Sequence, residues 1–535
     1  MLEVGSFDYV IVGAGSAGCV LANRLSADPR TRVLLLEAGG EDSNPWIHIP
    51  LGYGKLFVDP KVNWMFQTTP QAHLDDRIIN QPRGKVLGGS SSINGLVYVR
   101  GQAEDFDGWR DLGNVGWGFE DVLPYFRKAE DQARGADDFH GQGGPLPVSD
   151  QGSPHPLCEA FIEAAEQAGH PRNDDFNGRT QEGAGYYQTT SRRGLRVSSA
   201  VAYLRPARRR PNLTVVTRAH ATRLVFDGRR CTGVEFTRDG RPGSARAGAE
   251  VILAAGAIGS PQLMQLSGIG PAALLAQNAV PVVHDLAGVG ADLQDHLQVR
   301  MVLKCTRPIT FNDDMRSLWR MAGVGLDFAL NRRGPLTVSA GYAGAFLKTD
   351  PALALPDTQI HFINFSTTRM GDRLHDYSGF TASSCQLRPE SRGTLKIVSP
   401  DPFVAPAIDP NYLATETDRR VTVGGLKVLR DIMRQPAIAP FIDSEAEPGL
   451  DCASDDDLLA YCRARGSTIY HPTCTARMGT DAGAVVDARL RVHGIGGLRV
   501  VDGSIMPFVL SGNTHAGIVM IAEKAADMIL EDARA

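Results

Sequence analysis

One histidine, His471, lies in a run of small, hydroxyl-bearing and apolar residues, "STIYHPTCTARMG" (467–479). An imidazole in such a run can be a general base in a dry pocket, because its pKa lies close to neutral pH. It can equally be a metal ligand beside Cys474, or a buried histidine whose hydrogen bonds are satisfied. The third interpretation is favoured for a histidine taken singly. The choice therefore depends on the other motifs of the chain.

A glycine-rich motif, Gly13–Gly18 (GAGSAG), stands between a predicted strand at 7–12 and a predicted helix at 17–27. Glu37 follows nineteen residues after Gly18, within a second apolar strand at 31–39. The first glycine permits a tight turn, and the second lets the backbone approach a pyrophosphate at the positive end of the helix. Glu37 can accept hydrogen bonds from ribose hydroxyls and would repel a 2′-phosphate. The motif therefore predicts a dinucleotide other than NADP.

Two further stretches distinguish FAD from NAD. In "RGKVLGGSSSINGLVYVRG" (83–101), adjacent glycines and three serines offer closely spaced backbone N–H groups and hydroxyls. Such a loop suits an anion or the edge of a flavin ring. The stretch "GAIGSPQLMQLSGIG" (256–270) has the same chemistry. Both stretches favour a flavin dinucleotide.

The bulk properties limit the class of protein. A chain of 535 residues predicts two or three compact units, and a net charge of -5 gives no reason to expect nucleic acid. The eight cysteines are scattered with no CxxC pair, as in a reduced, intracellular protein. No signal peptide or apolar run of about 20 residues is visible, so we expect no transmembrane segment. Cytoplasm is the expected location, with peripheral membrane contact left open.

The elements that must position these motifs alternate between strands and helices. Helices are predicted at 155–169 and 415–435, and strands through 212–254. The stretch 301–400 is strand-rich ("MVLKC", "TQIHFINF", "GTLKIV") and predicts a separate antiparallel sheet. We predict an α/β nucleotide-binding domain made from 1–155, 206–300 and 465–535. A substrate domain of α+β type is predicted from 156–205 and 301–464.

Five motifs in a fixed order carry a family resemblance. Besides 83–101 and 256–270, they are "VGADLQDH" (289–296), "CQLRPESRGTLKI" (385–397) and "LRVVDGSIMP" (498–507). Over essentially its whole length the chain resembles the glucose-methanol-choline (GMC) flavoprotein oxidoreductases, especially the bacterial choline-dehydrogenase-like alcohol dehydrogenases. The resemblance implies FAD, a Rossmann-like FAD domain, and a substrate domain whose antiparallel sheet roofs the flavin. It also implies oxidation of an alcohol by hydride transfer.

The resemblance also implies the cofactor-binding residues. These are Gly13, Gly15, Ser16, Ala17, Gly18, Glu37, Ala38, Trp64, Arg83, Gly84, Gly88, Ser90, Asn94, Gly95, Val97, Ala221, Gly256, Tyr470, Asp502, Gly503, Asn513 and Thr514. Some members attach FAD covalently through a histidine at the position of Ile93 in "GGSSSIN" (88–94). An isoleucine has no nucleophile, so we expect non-covalent FAD.

The resemblance places the catalytic pair on His471 and on His515, in "SGNTHAGIVMIAEKAAD" (511–527). Choline-type members usually carry Asn at the second position, so the chain is here more similar to glucose- and aryl-alcohol-acting members. An alkoxide expels hydride far more readily than an alcohol, so one imidazole must accept the hydroxyl proton. The other can hold the developing oxyanion. A metal is not expected, since no further ligands of suitable spacing accompany Cys474. Which histidine takes the proton stays open.

The expected reaction is oxidation of a primary alcohol (aliphatic, glycol or aryl) to the aldehyde, with electrons passed to a quinone or another acceptor. Tyr53, Tyr342 and His361 are candidate pocket residues. Tyr342 stands where choline-type members carry a glutamate, which disfavours choline, although a cation–π contact could partly compensate. The alternatives are an oxygen-using alcohol oxidase, a choline dehydrogenase, a hydroxynitrile lyase with an idle flavin, and a flavin-binding protein without turnover.

Overall fold

The computed structural model describes residues 2–152, 154–369 and 371–534. Two seven-stranded β-sheets dominate this part of the chain, and each packs against its own apolar core. The predicted combination of an α/β unit with a second, antiparallel sheet is confirmed.

The first sheet is the mostly parallel one expected around the glycine-rich motif. Its strands in spatial order are Leu213–Val216, Val33–Leu36, Leu2–Val12, Arg241–Leu253, Arg230–Arg238 and Ala219–Asp227, with Leu498–Val500 beside the end of Arg241–Leu253. Val33–Leu36 is buried at every position, as parallel strands covered on both faces are. Helices Ser16–Leu25 and His515–Asp532 contribute many residues to the same core.

The second sheet is antiparallel throughout. Its strands in spatial order are Ile442–Glu447, Leu297–Cys305, Gly379–Gln386, Thr358–Ile363, Ala343–Leu347 and Gly183–Tyr186, with Ser467–Thr468 beside the start of Leu297–Cys305. The helices predicted at 155–169 and 415–435 are present as Pro156–Gln167 and Glu416–Met433. Both supply residues to the core of this sheet.

The remaining elements connect and cover the two sheets. The other α-helices are Pro45–His48, Tyr53–Leu56, Ala103–Asp111, Phe119–Ala129, Arg205–Ala207, Gly256–Leu266, Ala272–Gln277, Phe311–Arg316, Leu318–Asn331 and Asp455–Arg465. Short strand pairs join Phe66–Gln67 to Asn80–Gln81, Glu130–Gln132 to Leu146–Val148, Ser191–Arg192 to Leu195–Arg196, Ile269–Gly270 to His284–Asp285, and Thr394–Lys396 to Ala407–Asp409. Single turns of 3₁₀ helix lie at Pro50–Gly52, Gly89–Ser92, Pro335–Thr337, Ala439–Phe441 and Gly503–Ile505, and a π-helical turn lies at Ala200–Leu204.

The prediction for 301–400 needs two corrections. The strand in "GTLKIV" is not part of the second sheet, since Thr394–Lys396 pairs only with Ala407–Asp409. Residues 311–331 form the helices Phe311–Arg316 and Leu318–Asn331 instead of strands. A short apolar run fits either a strand or a helix segment, and a strand pattern does not say which sheet accepts it, so tertiary packing decided both cases.

The predicted division at residue 300 falls inside a strand. Leu297–Cys305 pairs within the second sheet along its length, and Ser467–Thr468 joins it there. Hydrophobic patterns locate strands but do not say which sheet accepts them. The division into two domains stays a prediction, and these pairings extend the second unit slightly at both ends.

Candidate active site: a dinucleotide cleft that opens into a histidine cavity

The carboxyl ends of five parallel strands meet at one edge of the first sheet. Gly13 follows Leu2–Val12 there, and it has φ +100, a conformation that favours glycine. A Cβ on Gly13 would lie 2.6 Å from the carbonyl oxygen of Ala254, and one on Gly18 would lie 1.8 Å from the carbonyl oxygen of Gly13. Both glycines are therefore required by close packing. A Cβ on Gly15 would make only an ordinary contact of 3.8 Å with the carbonyl oxygen of Ala254, and Gly15 precedes helix Ser16–Leu25, whose start suits a phosphate.

Glu37 lies at the end of strand Val33–Leu36 and is 5% exposed. Its Oε2 accepts a hydrogen bond from the N–H of Ala14 at 2.9 Å, and its Oε1 accepts one from the N–H of Gly39 at 2.8 Å. Burial raises the pKa of this carboxyl to about 7, while the two N–H donors act in the opposite direction. Each oxygen keeps a further acceptor site, so Glu37 can still receive bonds from ribose hydroxyls.

The second glycine-rich loop packs directly against the first. Gly89 has φ +52, and a Cβ there would lie 2.7 Å from the Cα of Gly15. The third stretch joins them through Asp502, whose carboxylate accepts bonds from the N–H of Gly256 and the hydroxyl of Ser260. Among the predicted cofactor residues, the cleft is lined by Gly13, Gly15, Ser16, Ala17, Glu37, Ala38, Trp64, Arg83, Gly84, Ser90, Ala221, Gly256, Asp502, Gly503 and Thr514.

A second cavity continues from this cleft. The two share Ser16, Arg83, Ser90, Thr514 and Ile518 as lining residues. Both predicted catalytic histidines line the second cavity, together with the predicted residues Asn94, Gly95, Val97, Tyr470, Asn513, Tyr53 and His361. The dinucleotide cleft and the cavity that holds His471 and His515 therefore adjoin each other.

The hydrogen bonds around His471 determine where its proton lies. His296 Nε2 lies 2.9 Å from the carbonyl oxygen of Leu387, and a carbonyl only accepts, so this nitrogen carries hydrogen. Burial lowers the pKa of His296, so its Nδ1 is unprotonated and accepts a bond from Nδ1–H of His471 at 3.0 Å. The Nε2 of His471 is then an acceptor, and the amide of Asn513 donates to it at 3.2 Å.

Neighbouring groups hold this arrangement in place. The backbone N–H of His471 donates to Oδ1 of the buried Asp295 at 2.7 Å. The side-chain oxygen of Asn513 accepts from Gln359 at 3.1 Å, which turns the Asn513 amino group towards His471. Burial, followed by His296, His361 and Arg83, lowers the pKa of His471 well below its ordinary value. The imidazole of His471 is therefore neutral at physiological pH.

Several buried polar atoms at the cavity have no hydrogen-bond partner within the described residues. They are Nε2 of His515, both ring nitrogens of His361 and the hydroxyl oxygen of Tyr53. His515 is the first residue of its helix, and its Nδ1 lies 3.1 Å from Oγ of Ser16. Burial lowers the pKa of His515 and of His361 to about 4. Unpartnered buried groups of this kind are expected where a bound molecule completes the bonding.

Three predicted residues lie elsewhere. Tyr342 is buried in the core of the second sheet, with its ring 6.1 Å from that of His155 and 5.8 Å from that of Tyr186. It does not line the cavity, so the cation–π role suggested for it was wrong. Gly18 and Gly88 also lie outside the lining and serve the turns of the two loops instead.

The sequence interpretation missed Arg300, Gln298 and the catalytic environment made by His296. Gln298 and Arg300 alternate along strand Leu297–Cys305 and both line the cavity. The sequence motifs gave no role to His296. The period of two in "HLQVR" (296–300) was a usable signal, because side chains two apart share one face of a strand.

Family models for GMC oxidoreductases match residues 7–298 and residues 389–522. The chain belongs to the GMC oxidoreductase family. The predicted resemblance is thus confirmed, and the protein is an FAD-dependent oxidoreductase that acts on CH–OH donors.

Similar proteins within this GMC family include two curated relatives and a solved structure. An alcohol dehydrogenase [acceptor] of Pseudomonas putida is 44% identical over 532 residues, which cover 98% of this chain and 96% of the relative. An oxygen-dependent choline dehydrogenase of Burkholderia ambifaria is 44% identical, with coverage of 98% and 93%. A formate oxidase of Aspergillus oryzae, studied for the modification of its FAD, aligns at 28% identity with a TM-score of 0.94 over 100% of both chains.

The residues present fit FAD. The Gly13 turn, Glu37 and the helix start at Ser16 suit the adenosine and pyrophosphate, while the cavity beyond Ser90 leads to the histidines. FAD supplies the hydride acceptor. Among the described residues, no group of three histidine, cysteine or acidic side chains could hold a metal ion.

Proposed function

We propose that this GMC oxidoreductase oxidises a primary alcohol to its aldehyde, with Nε2 of His471 as the proton acceptor. The observation that carries the proposal is the 3.0 Å contact between Nδ1 of His471 and Nδ1 of His296, which assigns the proton of His471 to Nδ1 and leaves Nε2 as the basic nitrogen of a residue that lines the cavity. A substrate hydroxyl can donate to this nitrogen in place of, or together with, Asn513. The Nε2 of His515 can then donate to the oxygen that loses its proton.

The charged residues in the cavity wall favour a substrate that is not cationic. Its described lining contains no aspartate or glutamate, whereas Arg300 faces it and makes no ion pair within the described chain. Arg300 also lines an adjoining cavity together with Arg77, Arg369 and Arg465. A like charge about 4 Å away costs about 4 kcal/mol at an effective dielectric constant of about 20. Cation–π contact with Tyr53 or Tyr470 would recover about 2 kcal/mol, which is less than the repulsion, so we propose that choline is a poor substrate.

The positive, donor-rich lining favours alcohols that carry acceptor groups. Arg300, the amide of Gln298 and the hydroxyl of Tyr53 can all donate hydrogen bonds. A carboxylate at the far end of the alcohol matches these donors best, because it can accept their hydrogen bonds and also pair with the charge of Arg300. Neutral ether or carbonyl oxygens can accept the hydrogen bonds but add no ion pair. We therefore propose neutral or anionic primary alcohols as the substrate class.

The experiment that tests this function is anaerobic mixing of the purified yellow protein with three alcohols. They are choline, a neutral aliphatic alcohol and a hydroxycarboxylate of similar length. We expect the neutral and anionic alcohols to bleach the flavin and choline to react at least about 100-fold more slowly. A lyase or a binding protein without turnover would leave the flavin oxidised with all three, which would overturn the proposed reaction.

The role of Arg300 is tested by a matched pair of variants. Arg300→Gln removes the charge, and Arg300→Glu reverses it at the same position. Both variants should raise the rate with choline relative to the rate with the hydroxycarboxylate, and Arg300→Glu should raise this ratio more than Arg300→Gln. Unchanged selectivity in both variants would show that Arg300 does not select the substrate, while leaving the reaction itself intact.

We propose a quinone or similar compound as the electron acceptor, on the likeness to the acceptor-type alcohol dehydrogenase of Pseudomonas putida. Turnover should be fast with a quinone analogue or a dye and slow with oxygen alone. Equal rates of alcohol consumption in aerated buffer without any other acceptor would mark the protein as an oxidase.

We also propose that FAD is held without a covalent bond. Ile93 is buried in the cavity wall, and the hydroxyls of Ser91 and Ser92 are bonded to the carbonyl oxygens of Gly88 and Leu87. None of the eight cysteines is among the lining residues of the described cleft and cavity. Denaturation and ultrafiltration should therefore put the yellow colour in the filtrate. Colour that stays with the protein would indicate a tether.

A further inference from the structure

The helix Leu318–Asn331 exposes an unusual amount of apolar surface. Of its 14 residues only Phe328 is buried. Trp319 is 89% exposed, Leu318 77%, Leu330 71% and Leu326 60%. Single exposed apolar residues are ordinary on protein surfaces, but four large ones on one short helix are not.

The exposed apolar residues share one face of the helix. At about 100° per residue, Leu318, Trp319, Leu326 and Leu330 fall within an arc of about 120°, together with Ala322 and Ala329. The helix packs on the protein through the opposite side, where Phe328 is buried and Val324 contacts the cluster of Phe311, Ile363 and Phe365. A helix on a water-exposed surface normally has polar residues where this one is apolar.

Basic residues flank this apolar face at both ends. Arg316 precedes the helix but is paired with Asp313, whereas Arg332 and Arg333 follow the helix. Neither Arg332 nor Arg333 forms an ion pair with any described residue, and the Arg332 guanidinium lies over the Phe328 ring. Among the acids of the segment, Asp313 is buried and pairs with Arg316, and Asp327 lies outside the apolar arc. Asp314 lies 4.0 Å from Arg320.

We infer that the face of helix Leu318–Asn331 docks the protein on a bilayer surface that contains anionic lipids. An apolar arc with an exposed tryptophan suits the boundary between head groups and acyl chains, and the flanking arginines suit anionic head groups. A second copy is a poorer partner, because symmetric antiparallel pairing of two such helices would place Arg332 and Arg333 beside Arg316 of the other copy, whose carboxylate partner Asp313 is already engaged. No described helix is long and apolar enough to cross a membrane, and this mode of attachment requires none.

The docking face is close to the catalytic cavity. Val324, on the inner side of the helix, contacts the cluster that contains Ile363, and Ile363 lines the cavity beside His361. Docking would therefore hold the cavity near the lipid surface, where apolar alcohols and lipid-soluble acceptors concentrate. The inference does not depend on the proposed substrate, because it rests on the helix surface alone.

The test is flotation of the FAD-loaded, full-length protein with vesicles. We expect binding to vesicles of phosphatidylglycerol and phosphatidylcholine in equal parts, weaker binding to phosphatidylcholine alone, and a decrease with added salt. The double variant Leu318→Ser, Trp319→Ser should lose binding. The double variant Arg332→Gln, Arg333→Gln should weaken it roughly 30-fold.

The matched control is Val115→Ser, which removes an apolar residue that is 83% exposed on another part of the surface and should leave binding unchanged. All variants should retain alcohol-dependent flavin reduction, which shows that they fold. Absence of binding to the mixed vesicles, or binding that survives Leu318→Ser, Trp319→Ser, would overturn the inference. Self-association in the absence of lipid that this double variant abolishes would identify a second copy as the occupant instead.

Discussion

At the scale of single residues, the proposed chemistry depends on the neutral state of His471. The pKa of this imidazole is lowered well below its ordinary value, chiefly by burial, so the base stays unprotonated where an exposed histidine would be charged. We predict that the rate of flavin reduction remains constant as the pH falls through about 6.5. His471→Ala should lower that rate roughly 10²–10⁴-fold and leave FAD bound. Stopped-flow reduction across pH measures both effects, and near-normal reduction in the variant would contradict the assignment.

His296 acts on the reaction through His471 and is a positioning residue. His296→Leu removes the acceptor of the Nδ1–H of His471. The proton of the imidazole can then move to Nε2, so that the substrate would meet an N–H group in place of a basic nitrogen. We predict that flavin reduction falls at least roughly 10-fold, because the wrong tautomer disables a base. His296→Asn keeps an oxygen that can accept the same bond and should restore most of the rate. Equal losses in the two variants at full FAD content would argue against tautomer control.

At the scale of elements, two glycine-rich loops from different parts of the chain must touch. Gly89 has a positive φ, and its Cβ position lies 2.7 Å from the backbone of Gly15. Gly89→Ala therefore adds a clash to a conformation that costs roughly 1–2 kcal/mol for a residue with a side chain. We predict low FAD content and a lower melting temperature.

Gly54→Ala is the matched control for that variant. Gly54 lies in helix Tyr53–Leu56, and nothing lies within 4 Å of its Cβ position. Full flavin occupancy and an unchanged or slightly higher melting temperature are expected, since alanine favours a helix over glycine. The absorbance ratio of flavin to protein and thermal unfolding provide the comparison. Normal FAD content in Gly89→Ala would show that the loops do not need this close approach.

At the scale of the whole molecule, the site is buried where the two sheets meet, and this burial lowers the stability of the folded protein at acidic pH. His361 and His515 have pKa values of about 4 in the folded protein, whereas an unfolded histidine has about 6.5. Between these values the unfolded chain binds more protons, so the free energy of unfolding falls as the pH falls. Each histidine accounts for a loss of about 3 kcal/mol at most. Glu37, with a raised pKa, acts in the opposite direction.

A comparison of variants separates the effect of the two histidines on the pH dependence of stability from the effect of Glu37. We predict that denaturant unfolding shows a clear loss of stability between about pH 6.5 and pH 4.5. The double variant His361→Gln, His515→Asn keeps Glu37 and should reduce that loss. The same pH dependence in the variant and the parent protein would show that these imidazoles are not buried in the neutral form.

The sequence by itself determined the cofactor, the family and most of the fold. Strand–glycine–helix order fixes the dinucleotide cleft because each glycine is required by local backbone geometry, as at Gly13. Strongly patterned helices such as Glu416–Met433 were predicted closely. The catalytic pair was also predicted, since His471 and His515 lie in motifs that are short and continuous in the sequence.

Only the tertiary structure decided which neighbours complete the site and what the surface offers. The proton position on His471 depends on His296, 175 residues away, and no local pattern encodes that contact. The direction of each side chain decided that Tyr342, just before strand Ala343–Leu347, joins the core, while Arg300, on strand Leu297–Cys305, lines the cavity. The helix Leu318–Asn331 was missed because its apolar face is turned to the outside. An apolar run predicts burial when taken alone, and only the packing of the neighbouring elements shows that it is exposed.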